Sequence, residues 1–355
     1  MNFDFSEDVE AMRSEVRRML DDRYPAGAVR QAVDRGERFD RSFWALAGEM
    51  GLIGAAIPEA HGGAGLGHEA LCMIAEEIGA SLAPVPFASS VYLAAEAIAL
   101  FGSEDQKVKW LPGLASGALI GCFALAEGPG DPREAGLGPF GSVKWPVVDG
   151  DIADIAVVAA SDGLWVVELD QAGREPIETL DAVRASVKLV LRDVAGEKLQ
   201  TNGWPAIARL LDRAAILTAF EQVGGTRAAL DMAVGYARER YAFGRAIASF
   251  QAIKHKLADI YVALELARSN AYYGAWALEN EADLPAAAAA ARLAASEAYT
   301  LAARENIQTH GGMGFTWESD CHLHYRRARE TALALGSSRY WRDRLIDHLV
   351  AAEAA

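Results

Sequence analysis

The chain has 355 residues, 52% of them hydrophobic, which is enough for two or three domains with a buried core. Lys and Arg total 34 against 49 for Asp and Glu, so the formal net charge is −15. A charge of this sign argues against broad attraction to nucleic acid or to anionic membrane surfaces. An anionic ligand would therefore need a local basic site.

The spacing of the cysteines and the N-terminal sequence indicate the cellular location that we expect for the protein. Cys72, Cys122 and Cys321 are far apart and form no CxxC or other metal-ligand spacing, so neither a disulfide framework nor a metal site is predicted. The N-terminus lacks the basic stretch and apolar core of a secretory signal. Residues 284–303 are apolar but mostly Ala and include charged side chains, which predicts a buried helix rather than a membrane span. We expect a cytoplasmic protein.

The apolar pattern changes twice along the chain. From Glu7 to about Trp110 apolar residues recur at intervals of three and four, which predicts short helices broken at Gly and Pro. Val-rich runs then predict strands at 143–148, 152–160, 164–169 and 183–191. Helical periodicity returns after Gly203, from about Ile207. We predict an α+β fold with an N-terminal α-helical domain at 1–120, a middle β domain at 121–204 and a C-terminal α-helical bundle at 205–355.

One segment near the C-terminal end, residues 240–251, joins a cation, an aromatic ring and an amide. Arg240 carries a permanent charge with several fixed donors, which suits a pyrophosphate group. Phe243, Gly244 and Gln251 follow in close succession. Taken alone, Arg240 is better explained as a solvated charge at a helix end. The segment as a whole favours contact with a dinucleotide.

A second segment, residues 308–314, reads Gln-Thr-His-Gly-Gly-Met-Gly. Gly311 and Gly312 lack side chains, so a ligand can approach the backbone closely. Gln308 supplies a donor and an acceptor for a ribose or phosphate group. A helix C-cap followed by a turn explains one of these glycines well and three less well. No strand precedes the glycines and their spacing is wrong for a Rossmann fingerprint.

Several short motifs occur together in a specific order along almost the whole chain. In the N-terminal part they are Met50-Gly51-Leu52, Ile57-Pro58-Glu59, His61-Gly62-Gly63, Glu76-Glu77-Ile78-Gly79, Gly102-Ser103-Glu104 and Leu111-Pro112. In the C-terminal part they are Tyr236-Ala237, Phe243-Gly244, Phe250-Gln251, Leu257-Ala258-Asp259 and the segment from Gln308 to Gly314. Each motif is weak by itself. In this order and spacing the chain resembles the acyl-CoA dehydrogenase family.

The resemblance implies helical N- and C-terminal domains, the latter a four-helix bundle, around a middle β domain. It also implies an FAD cofactor whose adenosine end reaches a neighbouring subunit of a tetramer. In relatives, residues at the positions of Arg240, Phe243 and Gln251 contact the cofactor across that subunit boundary. Together with Gln308, Gly311 and Gly312 they are the predicted cofactor-binding residues. The implied reaction is α,β-dehydrogenation of an acyl-CoA, with an electron-transferring flavoprotein as the downstream acceptor.

The catalytic base of such an enzyme is missing from its expected positions. A carboxylate must reach the α carbon in a water-poor pocket, where desolvation raises its pKa toward the working pH. By the family pattern this glutamate falls at Leu335, or in other relatives at Ala214, and neither residue abstracts protons. Asp212 is a poor substitute, since two residues along a helix turn a side chain to another face. Glu318, Asp320 and Glu330 are further candidates, but each is better explained as a solvated or ion-paired helix charge. The catalytic residues are therefore left unassigned.

The middle segment also departs from the family pattern. Relatives show Leu-Thr-Glu-Pro, whereas this chain has Ala126 in place of the threonine and keeps Glu127. The tryptophan that covers the flavin ring in relatives is not clearly present, although Trp145 lies in the corresponding region. Contacts with the flavin ring are thus in question, while contacts with its adenosine side are retained.

Four hypotheses are consistent with this pattern. The leading one is the base-lacking partner chain of a heterotetrameric bacterial acyl-CoA dehydrogenase, of which some act on steroid side-chain thioesters. A self-sufficient homotetramer with a displaced base is the main alternative. A flavin monooxygenase of the same fold, or a scaffold protein without redox chemistry, are the others.

Overall fold

The computed structural model describes residues 5–133, 137–280 and 282–353, except for the side chains of residues 352 and 353. Helices dominate both terminal parts and the strands lie between them, as the sequence predicts. The helices are α1 Glu7–Arg23, α2 Ala28–Asp34, α3 Arg41–Glu49, α4 Gly67–Ser81, α5 Glu96–Phe101, α6 Glu104–Ser116, α7 Trp204–Glu239, α8 Gln251–Glu279, α9 Leu284–His310, α10 Cys321–Thr331 and α11 Ser338–Glu353.

Local sequence accounts for the ends of several helices. The Ser6 hydroxyl accepts a hydrogen bond from Val9 N at the start of α1, where three acidic residues complement the helix dipole. Ser103 and Gln106 form a reciprocal capping box at the start of α6. Pro285 lies in the first turn of α9, where its missing N–H costs nothing. The helix predicted from about Ile207 begins slightly earlier, at Trp204.

The strands form two sheets and a hairpin. They are β1 Gly121–Ala124, β2 Val143–Val148, β3 Ile155–Ala160, β4 Gly163–Glu168, β5 Gly173–Ile177, β6 Ser186–Val190, β7 Gly196–Lys198, β8 Tyr241–Ala242 and β9 Arg245–Ala246. One sheet has the order β1-β3-β4-β7, in which only the β1–β3 pair is parallel. A second, antiparallel sheet has the order β2-β6-β5. All six residues of β3 are buried, so this strand is the centre of the first sheet's core.

By spatial contact the chain divides into two compact units. One consists of Met1–Glu37, Cys72–Ala83 and Ala215–Ala355, and the other of Arg38–Leu71 and Pro84–Ala214. In the first unit α9 packs against α8, α10 and α11, which forms the C-terminal helical bundle. In the second unit a nine-residue π-helical segment, Phe87–Ala95, packs against β1. Because these units are defined by contacts in space, the boundaries at residues 120 and 204 stay a prediction.

Two glycines in the first unit allow the backbones of α4 and α7 to contact each other where the helices cross. A Cβ atom on Gly79 would lie 2.0 Å from the carbonyl oxygen of Glu221, and one on Gly224 would lie 1.8 Å from that of Glu76. Real Cβ atoms do not approach a carbonyl this closely, so any larger residue forces the helices apart. The crossing therefore fixes where α7 lies within this unit.

An ion cluster surrounds the same crossing. Glu77 accepts hydrogen bonds from Arg13, Arg17 and Arg227, and the Glu76 carboxylate pairs with Arg13. Burial raises the pKa of Glu76 despite its arginine neighbours, whereas the pKa of Glu77 is lowered because hydrogen bonds from Arg17 and Arg13 and the charge of Arg227 outweigh burial. The cluster ties α1, α4 and α7 together where their backbones are closest.

Alanine substitutions at two glycines of α7 have opposite expected effects. Gly224→Ala should destabilise the protein by about 2–3 kcal/mol, because its methyl group collides with α4 backbone. Gly235→Ala should instead stabilise it by about 0.5–1 kcal/mol, because this helical position has open space around it. Urea unfolding of the two variants measures both effects, and equal shifts would contradict the close crossing.

Candidate functional site

The first predicted segment forms a tight hairpin at the end of α7. β8 pairs with β9 in the register Tyr241 to Ala246 and Ala242 to Arg245, which leaves a two-residue loop. Both loop residues, Phe243 and Gly244, have positive φ values of 53° and 79°. Positive φ at both central positions is the signature of a type I′ turn, whose twist matches that of the strands. The hairpin closes onto α7 through the hydrogen bond from Ile247 N to Arg240 O, at 2.8 Å.

Phe243 occupies this turn at an energetic cost. A left-handed conformation costs a non-glycine residue roughly 1–2 kcal/mol. The side chain is 97% exposed, so burial within this chain does not compensate. Its ring meets Phe250 edge-on at 6.2 Å, and the guanidinium of Arg245 lies 4.1 Å above the Phe250 ring. A strained, exposed aromatic residue of this kind is typical of a binding surface.

The remaining residues of this segment lie beside the hairpin. Arg240 is exposed and follows the last residue of α7. Gln251 is exposed and is the first residue of α8, directly after Phe250. Arg240, Phe243 and Gln251 thus belong to one local structure built by the hairpin and the turn that follows it.

The second predicted segment forms the end of α9 and the short 3-10 helix after it. Gln308 is exposed in the last turn of α9. Gly311 caps the helix with a φ of 62°, and its N–H donates to the carbonyls of Gln308 and Ile307. The C-cap explanation therefore holds for Gly311. Gly312 has neither positive φ nor a neighbour within 4 Å of where a Cβ would lie, so the chain itself does not require glycine there.

A stacked pair of rings joins the two segments. The rings of Tyr236 and His310 are 4.1 Å apart with an interplanar angle of 25°. The backbone carbonyl of Tyr236 accepts a hydrogen bond from the backbone N–H of Arg240 at 2.8 Å, and His310 immediately precedes Gly311. Sequence reasoning did not find this pair, because its members are 74 residues apart. The only available signal was the position of His310 inside the glycine-rich segment.

Both expected base positions are buried and apolar. Leu335 lies in the turn between α10 and α11 with 4% of its surface exposed, and Ala214 is completely buried in α7. A carboxylate at either position would be desolvated, as a base requires, but neither residue provides one.

The nearby carboxylates have varied environments. Asp320 accepts hydrogen bonds from Gly27 N at 2.6 Å and Arg30 Nε at 2.8 Å, which ties α2 to the start of α10. Glu318 is exposed, whereas Asp212 is buried in α7 and Glu330 is partly buried in α10.

A buried arginine of α9 has a structural role. Arg292 is buried in α9 and donates to Gln222 Oε1 at 2.6 Å, to Ser296 Oγ at 2.7 Å and to the carbonyl of Thr331. Burial lowers the pKa of Arg292 to about 10, against the raising influence of Glu330 and Glu221. The network joins α7, α9 and α10 and provides no carboxylate base.

A buried ion group lies beside Ala214 in the second unit. The Glu96 carboxylate accepts a hydrogen bond from Arg213 Nε, and both of its oxygens lie 3.1 Å from His68 Nε2. Burial alone would raise the pKa of Glu96, but the attraction of His68 and Arg213 and their hydrogen bonds lower it to about 2. A carboxylate with such a low pKa is a weak base, so Glu96 does not replace the missing glutamate.

A second ion pair, between Lys144 and Glu127, lies in the middle segment. Lys144 is fully buried and donates to Glu127 Oε1 at 2.7 Å. The same oxygen accepts from Ser142 Oγ at 2.6 Å and from Gly138 N at 2.7 Å. Glu127, which the sequence retains from the family pattern, is thus engaged within its own loop. Trp145 follows Lys144 and is partly exposed. Its backbone N–H donates a hydrogen bond to the carbonyl oxygen of Ala126.

Neither a metal-binding cluster nor a membrane span occurs among the residues that the structure describes. Within them, His, Cys, Asp and Glu side chains form no group of three suited to a metal ion. In the same part of the chain, every helix is too short or too polar to cross a membrane.

Comparison with known proteins identifies the family. Residues 6–118 match the acyl-CoA dehydrogenase N-terminal domain, and residues 201–350 match the C-terminal domain. Acyl-CoA dehydrogenase IpdE2 of Mycobacterium tuberculosis is 37% identical over 94% of this chain and 94% of its own length. The chain belongs to the acyl-CoA dehydrogenase family. Members of this family are oxidoreductases that act on CH–CH bonds, and the predicted family and fold class are confirmed.

Two solved structures contain chains with the same fold. A chain of the Tcur3481-Tcur3483 steroid ACAD G363A variant is 30% identical, with a TM-score of 0.89 over 98% of this chain and 99% of that one. A chain of the ChsE4-ChsE5 complex from Mycobacterium tuberculosis is 26% identical, with a TM-score of 0.90 over 99% of each chain. Both names describe assemblies of two different components.

The pKa of Glu96 predicts a specific acid sensitivity. Because the folded-state pKa is about 2 and the ordinary value is 4.5, its stabilising contribution is complete above about pH 4.5 and is lost as the pH falls toward 2. Glu96→Gln should therefore cost about 3 kcal/mol at pH 7, by leaving Arg213 buried without its partner, and much less near pH 2. Urea unfolding across this pH range measures the difference. Glu175→Gln, at an exposed ion pair with Lys188, is the control and should change stability by less than about 0.5 kcal/mol.

The strained turn predicts a stabilising substitution. Phe243→Asn creates the Asn-Gly pair that type I′ turns prefer, so the chain should gain about 0.5–1 kcal/mol. Thermal unfolding of the variant and the wild type measures the effect. A variant that loses stability would show that the turn is not strained.

Proposed function

We propose that this chain is the base-lacking subunit of a heteromeric, FAD-dependent acyl-CoA dehydrogenase. The observation that carries the proposal is the apolar character of both base positions, Leu335 and Ala214, in a chain of this family. A self-sufficient enzyme requires a carboxylate at one of them or at a replacement site. Glu96 is unsuited to the role because of its low pKa, and Asp320 because of its ion pair.

The residues of the hairpin and of the glycine-rich segment fit the adenosine half of the cofactor. Arg240 would donate to the pyrophosphate, and Phe243 would pack its exposed ring against the nucleotide. Gln308 and Gln251 would supply polar contacts, and the open backbone at Gly311 and Gly312 would permit close approach. FAD binding by these residues is supported by the open, exposed geometry of both segments and by the family's use of this cofactor.

The flavin ring fits the described middle segment poorly. Glu127 is engaged by Lys144, Ser142 and Gly138 N, and Ala126 lacks the hydroxyl that the family pattern provides. A bound flavin would supply the acceptor for the hydride that leaves the β carbon of the acyl thioester. We assign removal of the α proton to a carboxylate on the partner chain.

The partner in this proposal is a related acyl-CoA dehydrogenase chain. Support comes from the similarity to components of the ChsE4-ChsE5 complex and of Tcur3481-Tcur3483. The name of the second assembly makes a steroid-derived acyl-CoA a reasonable substrate class. A tetrameric assembly, an electron-transferring flavoprotein as acceptor and a cytoplasmic location complete the proposal.

Separate and joint expression tests the proposal. Alone, the chain should purify without a substrate-bleachable flavin. Produced with a co-encoded acyl-CoA dehydrogenase chain, it should form a yellow complex that an acyl-CoA bleaches. A yellow homo-oligomer that an acyl-CoA bleaches without any partner would overturn the assignment in favour of a displaced base.

Within that complex, Arg240→Gln should lower FAD affinity roughly tenfold or more, because it removes a charge-assisted contact with phosphate. The matched control is Arg238→Gln, an exposed arginine in the last turn of α7. Fluorescence titration of the flavin-free complex measures both affinities. Equal affinities for the Arg240 variant and the wild type would remove Arg240 from the site.

A further inference from the structure

We propose that His310 accepts a hydrogen bond through Nε2 from a ribose hydroxyl of the bound adenine nucleotide, and that Tyr236 holds the imidazole in place for this contact. The inference rests on the proposed function, since it assumes that the two segments bind an adenine nucleotide. It adds a residue and a ligand group that the sequence motifs do not assign.

The hydrogen bond at Nδ1 fixes the chemistry of the imidazole. His310 Nδ1 lies 2.9 Å from the carbonyl oxygen of Asn306, one turn earlier in α9. A carbonyl oxygen only accepts, so Nδ1 carries the proton and donates it. In the neutral ring Nε2 is then left with a lone pair and acts as an acceptor. Among the described residues, Nε2 of His310 has no hydrogen-bond partner.

Packing fixes the orientation of the ring. Tyr236 covers one face of the imidazole at 4.1 Å, and the bond to Asn306 O holds the Nδ1 edge. The backbone carbonyl of Tyr236 accepts a hydrogen bond from Arg240 N, so Tyr236 lies one helical turn before the hairpin. An imidazole restrained on a face and an edge presents its remaining nitrogen in a defined direction.

The positions beside the stacked pair are open. Gly235 precedes Tyr236 in α7, and Gly312 follows His310 by two residues. At neither glycine would a Cβ atom meet another atom within 4 Å, and neither has positive φ. Glycine inside a helix is disfavoured. Neither packing nor backbone conformation requires it at position 235, which is consistent with close approach of a ligand.

The acceptor character of Nε2 selects the ligand group. Phosphate oxygens are acceptors and suit the donors of Arg240, whereas a ribose hydroxyl donates and suits a bare lone pair. An adenine nucleotide offers both groups a few bonds apart. We therefore assign phosphate to Arg240 and ribose to His310.

Calorimetric titration of the full chain with two nucleotides tests the assignment. ADP carries both ribose hydroxyls, and 2′,3′-dideoxy-ADP carries neither. His310→Phe keeps a ring for stacking but removes both nitrogens, and the dideoxy nucleotide serves as the control. For His310→Phe the Kd for ADP should rise roughly fivefold, while the Kd for the dideoxy nucleotide should not change.

Each other result overturns the inference. Equal weakening of both nucleotides in His310→Phe would mean that His310 acts only through the structure of the segment. Unchanged ADP binding in that variant, together with weakened binding in Arg240→Gln, would remove His310 alone and leave the proposed function standing. A wild-type chain that binds neither nucleotide would refute the adenosine half-site and this inference together.

Discussion

The close crossing of α4 and α7 at Gly79 and Gly224 is the constraint on which the candidate site depends. The two backbones approach so closely that a single methyl group on either glycine would displace them. The arginines around Glu76 and Glu77 join α1 to the same crossing. Fifteen residues after Gly224, α7 ends and the hairpin begins. The position of Arg240 and Phe243 within this unit therefore follows from the packing of α7 against α4.

Binding and catalysis make different demands on this chain. Nucleotide contacts need exposed groups on rigid supports, which the hairpin and the end of α9 provide. Proton abstraction needs a carboxylate that is desolvated but not ion-paired. Buried acids such as Glu77 and Glu96 are instead paired with arginines and stabilise the fold. A chain arranged in this way fits a subunit that holds a cofactor for chemistry performed on its partner.

Periodicity and turn residues were sufficient to predict the fold class, the long C-terminal helices and four of the strands. They missed β1, β5 and β7 and the two hairpin strands, β8 and β9, which are short and lack the Val-rich pattern. The strained φ of Phe243 and the stack of Tyr236 on His310 were not predictable either. Both depend on how distant segments meet or on how a turn is closed, and neither leaves a periodic signal. The candidate site residues were selected because motifs place several unusual residue types close together in the chain.

The central claim is that this chain supports a flavin whose proton chemistry takes place on another subunit. Substitution of the partner's catalytic glutamate by glutamine in the purified complex tests it most directly, with flavin content and substrate bleaching measured on the same sample. The account predicts full flavin content and no bleaching, because no carboxylate of this chain replaces the lost base. Bleaching at a rate close to that of the wild-type complex would contradict it and would place a functional base on this chain.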